Sequence, residues 1–77
     1  MPHVTLKLYA GKSAEQKAAI ADEIVKALIK TGHWGADAVS VGIEDVAPQD
    51  WVESVYKPEI IDKPDTLYKK PGYDPLA

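Results

Sequence analysis

Pro2-His3-Val4-Thr5-Leu6-Lys7-Leu8-Tyr9 stands almost at the start of the chain, and its apolar members fall on every second position. Val4, Leu6 and Leu8 share one side and His3, Thr5, Lys7 and Tyr9 the other, the two-residue period of a strand with one apolar face. Ala10-Gly11-Lys12 breaks the alternation. Ser13-Ala14-Glu15-Gln16 then has the spacing of a capping box, with the serine capping a helix start and the glutamine reaching back. From here the period changes. Ile20, Ile24 and Leu28 recur at every fourth position with Ala21 and Val25 beside them, while Glu15, Lys17, Asp22, Glu23, Lys26 and Lys30 fall mostly opposite. This predicts an amphipathic helix of about five turns, from about Ala14 to Thr31, with Gly32 as its terminator. Val39, Val41 and Ile43 alternate with Ser40, Gly42 and Glu44 as a second strand.

Strand, long helix and strand make a β-α-β unit with parallel strands and a right-handed crossover, so the fold class is α/β. Two strands under one helix leave the sheet edges open and one face uncovered. Beyond Ile43 the elements shorten. Pro48 can open a helical turn through Gln49-Asp50-Trp51-Val52, reaching about Tyr56. Pro58 and Pro64 each suit the first position of a further short helix and neither suits the inside of one. The last helix should end at Lys69-Lys70, with a turn at Pro71-Gly72. No repeat, low-complexity tract or linker interrupts the chain, which reads as a single domain over residues 1–77.

A chain of 77 residues with 45% hydrophobic content buries only about three-fifths of its unfolded surface. Domains of this size usually add disulfides, a metal or a partner subunit. Cysteine is absent, which excludes disulfides, thiolate ligands and thiol catalysis. His3 and His33 are the only histidines, too few for an ordinary zinc site. Subunit association is the remedy left. All nine basic residues are lysines, against twelve acids, for a net charge of −3. Without arginine or a basic stripe the chain is a poor nucleic-acid partner. No apolar run approaches the roughly 18 residues of a membrane span. Met1-Pro2-His3-Val4 lacks the basic and long apolar regions of a secretory signal, so a cytoplasmic protein is expected.

Few residues suit catalysis. Glycine-rich phosphate loops and histidine-rich ligand spacings are missing. Ser13 and Ser40 with the two histidines do not make a nucleophilic pair, since Ser13 has a capping role. Pro2 is different. Once the initiator methionine is removed, its nitrogen becomes a secondary amine, and an apolar pocket or nearby cation would favour the neutral form. Such an amine is a well-matched general base. The plainer reading is a proline that blunts the start of an edge strand.

Pro2 at the head of an alternating strand, the β-α-β order, and Ala10-Gly11-Lys12-Ser13-x-x-Gln16-Lys17 at the turn together resemble the 4-oxalocrotonate tautomerase family. Val39 to Ile43 and Trp51 extend the resemblance, and Lys69-Lys70-Pro71-Gly72-Tyr73 is similar to its short dimeric bacterial branch. The resemblance implies a β-α-β subunit whose four-stranded sheet is completed in a homodimer. Family hexamers typically carry a glycine-rich hairpin after the second strand, where this chain reads as helical. The implied activity is a cofactor-free keto–enol or double-bond isomerisation of a 2-oxo acid, with Pro2 as catalytic base.

Carried over by position, the family's arginine in the first turn falls on Lys12, which keeps the charge and loses the paired donors. Its second-strand arginine falls on Ser40, which donates one hydrogen bond and brings no charge. A monocarboxylate such as an arylpyruvate enol then suits the site better than a dicarboxylate. Trp51 matches an aromatic that keeps the proline site dry. Leu8 and Trp51 are expected to line the pocket; Tyr56, Tyr68 and Tyr73 read as core or surface residues, with a donor near the site as the lesser alternative. His3 and His33 match no family motif and read as solvent-facing or structural. Two other functions stay open: a non-catalytic dimeric scaffold, which the missing arginines favour, and a proline-dependent dehalogenase or decarboxylase.

Overall fold

The computed structural model describes residues 1–77. They form two compact units, Met1–Val46 and Ala47–Ala77. The first unit contains strand β1 (His3–Tyr9), helix α1 (Ala14–Gly32), a 3-10 turn at Ala36–Ala38 and strand β2 (Ser40–Val46). The strands pair in parallel, with His3 opposite Ser40, Leu6 opposite Ile43 and Tyr9 opposite Val46. The alternation read in each strand thus survives pairing. Val4, Leu6, Val41 and Ile43 fall on one face, and His3, Thr5, Lys7, Ser40, Gly42 and Glu44 on the other. Lys17 of α1 reaches Asp45 at 2.9 Å. Asp45 shares the Val41 and Ile43 face, so α1 covers that face of the strand pair.

Both bonds of the expected capping box form. The Gln16 N–H donates to Ser13 Oγ at 3.1 Å, and the Ser13 N–H donates to Gln16 Oε1 at 2.9 Å. The other end differs from the reading of the sequence. Gly32 is the last helical residue, and the left-handed position falls on His33, with φ 61°. Gly32 serves a different need: a Cβ there would collide with the Trp34 ring. The glycine lets that aromatic ring lie against the helix end.

Apolar burial in this unit is incomplete. No residue of α1 is fully buried, and the apolar residues of β1 and β2 remain half-exposed. On α1 itself, Ala19, Ile20, Glu23, Ile24 and Ala27 border a shallow open depression that is almost wholly apolar.

The second unit carries 3-10 turns at Pro48–Asp50 and Pro64–Thr66 and a π-helix at Val52–Ile61. Pro48 and Pro64 stand at helix starts, as their fixed φ and missing N–H favour. Pro58 does not. It lies inside the π-helix. In an α-helix its ring would press on the carbonyl four residues back. The wider π-turn directs carbonyls to the N–H five residues on, as in the 3.0 Å bond from the Asp62 N–H to the Lys57 carbonyl. The final helical turn ends at Thr66, ahead of Lys69-Lys70. Val55 and Tyr56, both on the π-helix, are the only buried side chains. No helix is long and apolar enough to cross a membrane.

Candidate functional site

Pro2 directly precedes β1 and is half-buried, while Met1 is fully exposed. The Ser40 N–H donates to the Pro2 carbonyl at 3.2 Å. That bond ties the head of the chain to the start of β2, so the proline is held by the sheet. With Met1 in place its nitrogen is a tertiary amide without a basic lone pair; removing Met1 exposes an amine at the head of the strand.

Ser40 meets the same end of the sheet through its side chain. Its Oγ lies 2.6 Å from His3 Nδ1, and Thr5 Oγ1 lies 3.3 Å from His3 Nε2. The three side chains share the face opposite α1. This cluster escaped the sequence. Alternation puts His3 and Thr5 on one side, but their meeting with Ser40 depends on the strand register, which no local pattern specifies.

Lys12 is elsewhere. It is exposed in the turn after β1, beyond Gly11 at φ 134°. The length of β1 separates it from Pro2 within one chain, about 20 Å at roughly 3.3 Å per residue. Leu8 is near that far end too and faces α1. Within a single protomer Lys12 and Leu8 therefore lie away from Pro2, because an extended strand cannot fold its two ends together. Two ion pairs occupy this part of the unit: Lys7–Glu44 at 3.8 Å and Lys17–Asp45 at 2.9 Å.

Trp51 belongs to the second unit. It is half-buried, and its indole N–H donates to the Tyr73 hydroxyl at 3.1 Å. The Tyr73 ring in turn lies 5.8 Å from that of Tyr56. Burial pushes the Tyr56 hydroxyl above its ordinary pKa, and the charge of Asp74, Tyr73 and a hydrogen bond to Asp74 add in the same direction. The three aromatics and Asp74 so fasten the carboxy-terminal segment to the π-helix. Tyr68 is fully exposed.

A family model described as "Tautomerase enzyme" matches residues 2–55, beginning at Pro2. The chain belongs to the tautomerase family. It is an enzyme of the isomerase class. A probable tautomerase of Xylella fastidiosa is 39% identical over 77 residues, covering 100% of this chain and 94% of the relative. Tautomerase PptA of Pectobacterium carotovorum is 40% identical over 76 residues, covering 95% of this chain and 97% of the relative. Among solved structures, TomN, a 4-oxalocrotonate tautomerase homologue of the tomaymycin biosynthetic pathway, superimposes with a TM-score of 0.63 at 28% identity. It covers 65% of this chain and 77% of its own. A 4-oxalocrotonate tautomerase isozyme structure from Methylibium petroleiphilum gives 0.60 at 25% identity, over 62% of this chain and 75% of its own. The tautomerase resemblance read from Pro2, the β-α-β order and the turn is thereby established. So is the β-α-β fold.

Proposed function

We propose that this tautomerase interconverts the enol and keto forms of a 2-oxo acid without a cofactor, using the Pro2 amine as general base once Met1 is removed. The observation that carries the reading is the bond from the Ser40 N–H to the Pro2 carbonyl, which fixes the proline at the sheet's end in a tautomerase-family chain. A base held in place needs no reorganisation before it takes a proton. The neutral amine removes the enol hydroxyl proton as the C2–O bond becomes a carbonyl. The protonated proline then delivers a proton to C3. One proton is taken and one returned, so the enzyme emerges unchanged. Activity rises with pH until the amine is fully neutral, since only that form accepts a proton.

The substrate class follows from charge. With no arginine in the chain, one carboxylate on an apolar or aromatic body is a better fit than two, as in the enol of an arylpyruvate. Lys12 adds a cation to this site from a second copy of the chain, because β1 keeps it from its own Pro2. The working form is a cytosolic homodimer with a joined four-stranded sheet, supported by the half-exposed apolar residues of β1, α1 and β2. Light scattering at micromolar concentration should return a dimer; a monomer or hexamer would count against it.

The test is ketonisation of phenylenolpyruvate by protein with and without Met1, each verified by intact mass. The Met1-free sample should be at least about a hundredfold faster, the usual minimum for a positioned acid–base group. Equal rates would remove Pro2 from the mechanism. Faster turnover of dicarboxylate than of aryl monocarboxylate enols would overturn the substrate class.

A further inference from the structure

We propose that His3, paired with Ser40, holds the carboxylate of the substrate beside Pro2; the assignment deepens the proline reading and rests on it. A 2-oxo acid places its carboxylate one bond from C2, so a group that binds it must lie close to the base. Pro2 and His3 are consecutive, with Cα atoms about 3.8 Å apart. The proline nitrogen is a backbone atom at the strand's end, committed to neither face of the sheet.

Other cations of the unit are worse placed. Lys7 and Lys17 lie against Glu44 and Asp45. Lys12 stands at the far end of β1 in its own chain and reaches the site only from a second copy, and Lys26 engages Asp22 and Glu23 at 3.1 and 3.4 Å. Lys30 and His33 belong to the end of α1, the helix on the opposite face. His3 alone among them is hydrogen-bonded to the residue that grips Pro2.

Hydrogen-bond direction gives the pair its chemistry. A neutral imidazole has one donor and one acceptor nitrogen, so one of the two hydroxyls must donate to it. A protonated imidazole donates from both nitrogens. Ser40 Oγ and Thr5 Oγ1 then both accept, and both hydroxyl hydrogens are free to point at an anion. Gaining one proton therefore brings a positive charge and releases a hydroxyl donor to the same place. A bound carboxylate stabilises that state, and that state binds the carboxylate, by reciprocal linkage. The charged and titratable groups on this face are Lys7, Glu44 and Tyr9. The chain's amino terminus and Asp37, in the turn before β2, are the others near this end.

The test titrates Met1-free protein with 3-phenylpropanoate and with the uncharged 3-phenylpropan-1-ol by calorimetry. Wild type should prefer the carboxylate by about tenfold or more, as expected of a charge-assisted hydrogen bond. His3→Asn keeps a hydrogen-bonding partner for Ser40 and removes the charge; it should cut the preference at least about fivefold, leaving only what Lys12 of a second copy contributes. His3→Gln repeats the test if Asn disturbs β1, and Lys7→Ala should leave the preference intact. In turnover, His3→Asn should raise KM about tenfold with kcat within about threefold. A carboxylate preference undiminished in both His3 variants, or none in wild type, overturns the assignment. The titrations need no turnover. Protein that keeps a His3-dependent preference but fails to ketonise phenylenolpyruvate would lose the proline reading and keep the carboxylate site.

Discussion

The two ends of one strand pair do different work. Where β1 and β2 begin, Pro2 is held through its backbone by Ser40, and His3, Ser40 and Thr5 join through hydrogen bonds. Where they finish, the contacts are ionic: Lys7 with Glu44 and Lys17 with Asp45, followed by the exposed Lys12. Open α/β sheets ordinarily bind ligands beyond the carboxyl ends of their strands. In the proposed mechanism the base sits instead at the amino end, because a basic proline nitrogen exists only at a chain terminus. On that reading the finishing end serves the site only from another copy.

The largest effect should come from the starting end. In Met1-free protein, Pro2→Ala leaves a primary amine at the same place. It should retain a fraction of the rate, with kcat lower by about tenfold to a hundredfold. It should also form a Schiff base with a 2-oxo acid, trapped by borohydride as a mass increase. Wild-type kcat in this variant would break the comparison by showing that the starting end needs no proline.

Next comes the finishing end. Lys12→Ala should raise KM about tenfold with kcat little changed, since a charged partner of a carboxylate contributes mainly to binding. Mixed dimers sharpen the point. Subunits that retain Met1 lack the base, and Lys12→Ala subunits lack the cation. In a hybrid, a Met1-free Lys12→Ala subunit faces an intact Lys12 on its Met1-retaining partner. Its KM should return toward wild type. No recovery after subunit exchange, verified by native mass spectrometry, would show that Lys12 does not cross between copies.

Residues on elements were legible; residues in space were legible only in part. The alternation of Val4, Leu6 and Leu8, the fourfold recurrence of Ile20, Ile24 and Leu28, and the Ser13–Gln16 box are local signals, and each produced its element. Pro2 was legible for the same reason, as a single position with its own chemistry. The His3–Ser40 meeting was not, because it joins residues 37 apart in sequence through a register. The gap between Pro2 and Lys12 follows from strand length, but grouping residues by motif hides it. Pro58 inside a helix was illegible for a third reason, since the rule against it assumes α-helical bonding and Val52–Ile61 is π-helical.

The same contrast extends to the two ends of α1, with smaller effects. Ser13→Ala removes a cap at the end near Lys12 and should destabilise by about 1 kcal/mol. His33→Gly relieves a left-handed side chain at the other end. It should stabilise by about 0.5 to 1 kcal/mol, less whatever entropy the freer unfolded chain regains. Urea denaturation at fixed subunit concentration reads both. A destabilising His33→Gly would mean that the imidazole makes a contact worth more than the strain.

The smallest effect belongs to the Lys17–Asp45 pair. Its 2.9 Å separation suggests strength, but the two side chains are 27% and 40% exposed, so water and salt screen the attraction and both side chains lose rotamer freedom. Lys17→Met keeps most of the apolar stem against the sheet and removes the charge. It should cost less than about 1 kcal/mol at low ionic strength and less still in molar salt, where the screening length falls to about 3 Å. A loss well above that, undiminished by salt, would mean that the pair is shielded by something outside the β-α-β unit. The finishing end of the sheet would then be as enclosed as the starting end is held, and its charges would count as structure first and as substrate contacts second.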